Sequence, residues 1–126
     1  MPNFLVFSNT ETVQVVPVQH FFISQSVTFT GTSTGTVIDL STNPLSRFSI
    51  QVTGTGALPT LWTVLVEGSL DNSSWTTILT HTNVTGNGLS LSMGASNFPV
   101  LYVRLRCTGL TLGLASNIVV KLVGVN

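Results

Sequence analysis

The residues able to move protons are few. His20 and His81 are the two imidazoles of the 126-residue chain, and Glu11, Asp39, Glu67 and Asp71 are its carboxylates. A serine nucleophile needs a base and an orienting acid close at hand. Serines are plentiful, but His20 sits beside Phe21 and Phe22, and His81 follows Ile78-Leu79-Thr80. Neither has a Gly-x-Ser-x-Gly elbow near it. A serine with His81 and Asp39 or Asp71 is the triad left to consider; the plainer reading of His81 is a polar residue at a strand end. Glycoside hydrolysis would need two of the four acids as a pair. Glu67 and Asp71 lie four apart across a strand end, where solvent or Arg104 and Arg106 can meet them.

Other chemistries are missing their residue sets. No zinc-ligand spacing, phosphate-binding glycine loop or dinucleotide fingerprint occurs, and Gly54-Thr55-Gly56 has no lysine or helix after it, which makes it a turn. Asp71-Asn72-Ser73-Ser74 offers too few hard oxygens for calcium and suits a tight turn instead, with side chains bonding backbone amides. Cys107 is the lone cysteine, so no internal disulfide can form. Its place in an apolar strand predicts an inert core thiol. The expectation is a protein that is not an enzyme, with no catalytic, cofactor-binding or metal-binding residue.

Charge is scarce throughout. Charged residues make up 6% of the chain, against about 25% in ordinary soluble domains. Nineteen Thr, 14 Ser and 9 Asn supply the polar surface instead. Four cationic side chains are too few for the phosphate contacts that drive nucleic-acid binding. A net charge of zero leaves little repulsion between copies, so the protein is expected either to be kept dilute or to pack against neighbours. No apolar run is long enough to span a bilayer, and Met1-Pro2-Asn3 does not begin a secretory signal pattern.

The elements that must position these residues are strands. Val, Ile and Thr recur, Gly, Ser and Asn interrupt any helical stretch, and apolar residues repeat at period two. Phe48, Ile50 and Val52 share one face, as do Trp62, Val64 and Val66. Leu101, Val103, Leu105 and Cys107 form a third set, and Ile118, Val120 and Leu122 a fourth. The spacing predicts strands near 27–31, 35–40, 47–53, 61–69, 74–80, 88–93, 100–107 and 117–124, the first two forming a hairpin between Gly31 and Gly35. The fold class expected is all-β: an antiparallel β-sandwich or jelly-roll-like domain of about eight strands over residues 27–126.

Residues 1–26 read differently. Phe4-Leu5-Val6-Phe7, the valines around Pro17, and Phe21-Phe22-Ile23 are apolar patches divided by polar residues and a proline. They suit an extended N-terminal arm making an intersubunit contact, or edge strands of the same subunit. Phe4, Phe7, Phe21 and Phe22 are therefore candidate interface residues. Tyr102, Arg104 and Arg106, which share a strand face, form the second candidate interface, since Tyr and Arg are enriched in binding hot spots. The alternative is a solvated face crossed by Glu67 or Asp71. Trp62 and Trp75 are both expected in the core; a carbohydrate-binding reading, with a host-surface glycan as ligand, would need Tyr102 and an exposed tryptophan.

The segments Phe48-Ser49-Ile50-Gln51-Val52-Thr53, Trp62 through Glu67-Gly68-Ser69-Leu70-Asp71 to Trp75, and Tyr102-Val103-Arg104-Leu105-Arg106 together resemble small β-sandwich virion structural proteins of tailed bacteriophages. The likeness covers residues 35–124. It departs from that pattern at Asn72, where a glycine often follows the aspartate. The resemblance implies a capsid decoration (cement) protein on the outer surface of the head, bound to the major capsid protein and to copies of itself as a homotrimer. A tail or baseplate adaptor or fibre module is the alternative it implies. In either case Glu67, Gly68, Asp71 and Trp75 would be structural, and Tyr102, Arg104 and Arg106 would lie near an interface.

Overall fold

The computed structural model describes residues 22–57, 59–83 and 89–126. Phe4, Phe7, His20 and Phe21 lie outside the described residues, as does most of the expected arm. The described chain forms nine strands: β1 (Phe22–Phe29), β2 (Ser33–Thr34), β3 (Ile38–Asp39), β4 (Leu45–Thr55), β5 (Leu61–Ser69), β6 (Thr76–Asn83), β7 (Leu89–Val100), β8 (Tyr102–Thr111) and β9 (Asn117–Val125). One sheet runs β1-β9-β4-β7 and the other β2-β8-β5-β6, with β3 also on β8; the pairings are antiparallel. Counting β2 and β3 as one interrupted strand, this is the winding of an eight-stranded jelly roll, two interleaved Greek keys closing a double sheet.

Alternation builds the core. Phe48, Ile50 and Val52 from β4, Trp62, Val64 and Val66 from β5, Val103, Leu105 and Cys107 from β8, and Ile118, Val120 and Leu122 from β9 are all buried between the sheets. Phe29, Leu40 and Leu45 close the remaining space. Gly124 lies opposite Phe48, and a methyl group added there would come within 2.8 Å of the Phe48 ring. That close approach is why β9 carries a glycine in a strand interior.

Several expectations are corrected. The chain does not form a hairpin between Gly31 and Gly35: β1 pairs with β9, while β2 and β3 cross to β8 in the opposite sheet. Residues 22–26, read above as arm or edge strand, belong to edge strand β1. The strand expected near 100–107 begins at Tyr102, because Asn97-Phe98-Pro99 and Val100 end β7 and the chain turns at Leu101. Proline is tolerated there because β7 is an edge strand and Pro99 falls between the Ala95 and Val100 pairs, where the register with β4 shifts. Gly54 and Thr55 still belong to β4, and the turn begins at Gly56, whose φ is 81°.

Candidate functional site

β8 places Tyr102, Arg104 and Arg106 on the outer face of its sheet, because Val103, Leu105 and Cys107 point inward. Glu67 of β5 stands directly opposite Arg104, and Leu65 opposite Arg106. The carboxylate joins the two cations. Arg104 Nε donates to Glu67 Oε1 across 2.8 Å, and an Arg106 Nη1 donor reaches Oε2 at 3.4 Å. Glu67 is 5% exposed. A carboxylate that dry is expected only where charge and hydrogen bonds meet it. The face is crossed by Glu67, as the alternative reading of this trio expects, and Arg106 remains half-exposed.

Trp75 completes the cluster, and sequence parity misplaces it. It shares parity with Leu79, which is buried against Val66, so a regular strand would bury Trp75 too. Between them the ladder steps from Val66–Leu79 to Glu67–Thr77, which leaves Ile78 as an extra residue on β6. One extra residue reverses every side chain beyond it. Thr77 and Trp75 therefore move to the outer face beside Glu67, and the Arg104 guanidinium lies over the Trp75 ring at 4.1 Å. The stack is a cation–π contact. It occupies one face of the ring that a sugar would use, while Trp62 is wholly buried.

The preceding turn is held by Asp71. Its Oδ1 accepts from the amides of Ser73 and Ser74 and from the Ser69 hydroxyl. The Ser74 amide, then the Ser73 amide and the Ser69 hydroxyl, hold this carboxyl below its ordinary range. Asn72 adopts φ 59°, the left-handed conformation in which glycine is usual and asparagine tolerated. This is where the chain departs from the phage-like pattern, and the backbone there is of the kind a glycine would serve.

Among the described residues, the remaining titratable groups do not converge. His81 is buried, not a surface residue at a strand end, and its Nδ1 accepts a 3.0 Å hydrogen bond from Trp62 Nε1. Burial pushes the His81 imidazole below its usual pKa. Asp39 Oδ1 accepts from the Ser41 amide in an exposed loop. Cys107 is buried, its Sγ donating to the Gly109 carbonyl, and burial pushes the thiol up. Among the described residues no three metal-ligating side chains gather.

A second feature lies at the end of the sandwich, where the seam between β6 and β7 stays open. A groove of about 670 Å³ is lined by Gly68, Leu70, Ile78, Pro99 and Val100, with Asp71 among the polar residues at its margin. Leu70 is 67% exposed. A methyl group on Gly68 would meet Ile78 Cδ1 at 2.6 Å and Val100 Cγ1 at 2.8 Å, so this glycine sets the groove's depth. The bulge at Ile78 makes this feature as well, since it turns Ile78 toward Gly68.

No family model matches the chain, and no curated protein matches it in sequence. Among solved structures, the SPBc2 prophage-derived protein YomS is similar over 90% of this chain and 100% of its own, with a TM-score of 0.60 and 14% identity. The PBSX exported protein XepA is similar over 89% of this chain, with a TM-score of 0.55 and 17% identity. The match spans 40% of XepA's own length. At these identities the likeness is one of fold.

Proposed function

We propose that this chain is a structural protein of a phage particle, and specifically a decoration protein seated on the outside of the head. The observation that carries the reading is the fold shared, over 90% of this chain and 100% of the other, with a prophage-derived protein. Jelly rolls build viral capsid domains and lectins alike, and fold does not fix function. The resemblance of the 48–53, 62–75 and 102–106 segments to phage virion proteins favours the first of these. The protein would act by burying surface across neighbouring capsomers. Binding the assembled shell and not its separated parts lowers the free energy of the shell. The Tyr102–Arg106 face suits such a contact: Glu67 offsets one guanidinium, and Arg106 keeps free donors at the rim.

Purified protein mixed with undecorated heads should bind saturably, in a copy number that matches the shell's symmetry, and raise the temperature at which the heads release DNA. A small fixed copy number at one vertex or on the tail would defeat the head assignment. It would favour a tail or baseplate adaptor or fibre module.

A further inference from the structure

The charges on the outer face of β8 form a pattern that is its own complement when reversed. Asp39 of β3 stands opposite Tyr102, while Ile38 packs against the core, so Asp39 shares the outer face with Tyr102, Arg104 and Arg106. Read along β8, the face carries an acid at the Tyr102 row, a compensated pair at the Arg104 row and a cation at the Arg106 row. The middle is closed, because Arg104 meets Glu67 at 2.8 Å and lies over Trp75. The ends are open. Asp39 is exposed, its Oδ1 accepting from the Ser41 amide, and among the described residues no cation pairs with it. Arg106 has Thr34 and Leu65 as cross-strand neighbours, and the 3.4 Å contact with Glu67 is its one ionic contact among the described residues.

We propose that this face binds the same face of a second copy, turned end for end about a twofold axis at the Arg104 row. Tyr102 and Arg106 are four residues apart on β8, about 13 Å, with Arg104 midway. The half-turn therefore brings Arg106 of each copy over Tyr102 of the other. Asp39 lies one strand spacing to the side, about 4.8 Å, within reach of the same guanidinium. A twofold interface must be complementary to itself, each contact recurring in the opposite direction. A row of acid, neutral pair and cation meets that condition when read backward. Stacking the face without the reversal would set Arg106 against Arg106, which like-charge repulsion disfavours. Half-buried Tyr102, Trp75 and Leu65 supply apolar contact around the charges, and Tyr, Trp and Arg are the types enriched in hot spots. Exposed ion pairs are individually weak, so the charges set the register of the contact more than its strength. The inference goes beyond the virion reading, since it concerns the free protein. It joins copies in twos, not in the threes that the phage resemblance implies, and a head using this face would compete with it.

The test uses full-length chains without heads. Light scattering over a concentration series should show a mass approaching that of two chains, and Arg106→Glu or Asp39→Lys alone should return it to that of one. Each reversal acts at both symmetry-related contacts and should weaken dimerisation on the order of tenfold. An equimolar mixture of the two variants should restore the dimer, because each altered end then meets its opposite charge while the unaltered ends still pair. Circular dichroism should be the same for both variants and the parent. Arg106→Gln and Asp39→Asn, the latter keeping an acceptor for the Ser41 amide, remove charge without reversing it and should each weaken the dimer about threefold. A parent chain that stays single at every concentration, a dimer indifferent to Arg106→Glu, or a mixture that stays single overturns the proposal. Loss of the head reading would leave these masses as expected, so the two readings fall separately.

Discussion

Trp62 and His81 are joined by a 3.0 Å hydrogen bond inside the jelly roll, the indole Nε1 donating to the imidazole Nδ1. The rings lie 6.0 Å apart, tilted by 21°. The imidazole must be neutral at Nδ1 to accept, and its burial favours the same state. The unfolded chain titrates at the ordinary value near 6.5. Below that pH the unfolded state takes up a proton that the folded state resists, so stability falls as pH drops from about 6.5 toward the lower folded pKa, then levels off. Urea midpoints measured between about pH 8 and about pH 5 should show this decline. His81→Gln, which keeps an acceptor for Trp62, should flatten it, with His20→Gln as the control. His81→Leu should instead cost about 1–3 kcal/mol above about pH 6.5, by leaving the indole N–H unpaired, and less at lower pH, where the parent protein loses stability and the variant does not.

The two arginines on Glu67 are unequal. Arg104 makes the 2.8 Å bond, lies over Trp75 and has 21% of its side chain exposed, whereas Arg106 is 47% exposed with a 3.4 Å contact. Arg104→Ala should therefore cost roughly 1–3 kcal/mol, as a partly buried charged hydrogen bond and a stack are lost together. Arg106→Ala should cost about 0–1 kcal/mol. Chemical denaturation gives both values, and Trp75 emission should change for Arg104→Ala alone. Equal losses would mean that Glu67 is held by something other than this geometry. If the outer face is the contact on the particle, Arg106→Ala should weaken binding to heads despite its small effect on stability.

Much of this was legible in the residues. Period-two alternation placed the inward faces of β4, β5, β8 and β9, and the shared parity of Tyr102, Arg104 and Arg106 placed these three on one outer face with Glu67 across from Arg104. Alternation carries no mark of an inserted residue, and so the bulge at Ile78, which sends Trp75 outward and shapes the groove, was hidden. Likewise the chain's departure to the opposite sheet after Phe29 is a tertiary choice, made by Gly35 closing on Leu105 and Val27 and not by local propensity. His81 was misplaced because a histidine at a strand's end looks polar until its partner, 19 residues away, is known.

Asn72 gives a test of the Asp71 turn. At φ 59° a residue with a Cβ meets the strain that asparagine bears and glycine escapes. Asn72→Gly should leave stability unchanged or slightly raised, while Asn72→Val should lower it by about 1–2 kcal/mol, a difference that a thermal melt resolves. Were the two variants to melt together, the turn would not hold the conformation found here.

The contact between Gly124 and Phe48 makes the sharpest claim about the core. The two residues face each other across β9 and β4, with the Leu45 side chain a further 3.1 Å neighbour of any added methyl. An overpacked core cannot absorb an extra methyl without moving side chains off their rotamers, which costs about 1–3 kcal/mol. Gly124→Ala should lose that much in denaturant melts although alanine is the better strand residue. Phe48→Leu removes part of the ring and should itself destabilise by leaving space. Combined, the added methyl enters the space the ring vacates, so the double variant should be more stable than the sum of its parts implies, by at least about 0.5 kcal/mol. Strict additivity would show that the methyl is accommodated elsewhere, and that the closeness of Phe48 is not what keeps a glycine near the end of β9.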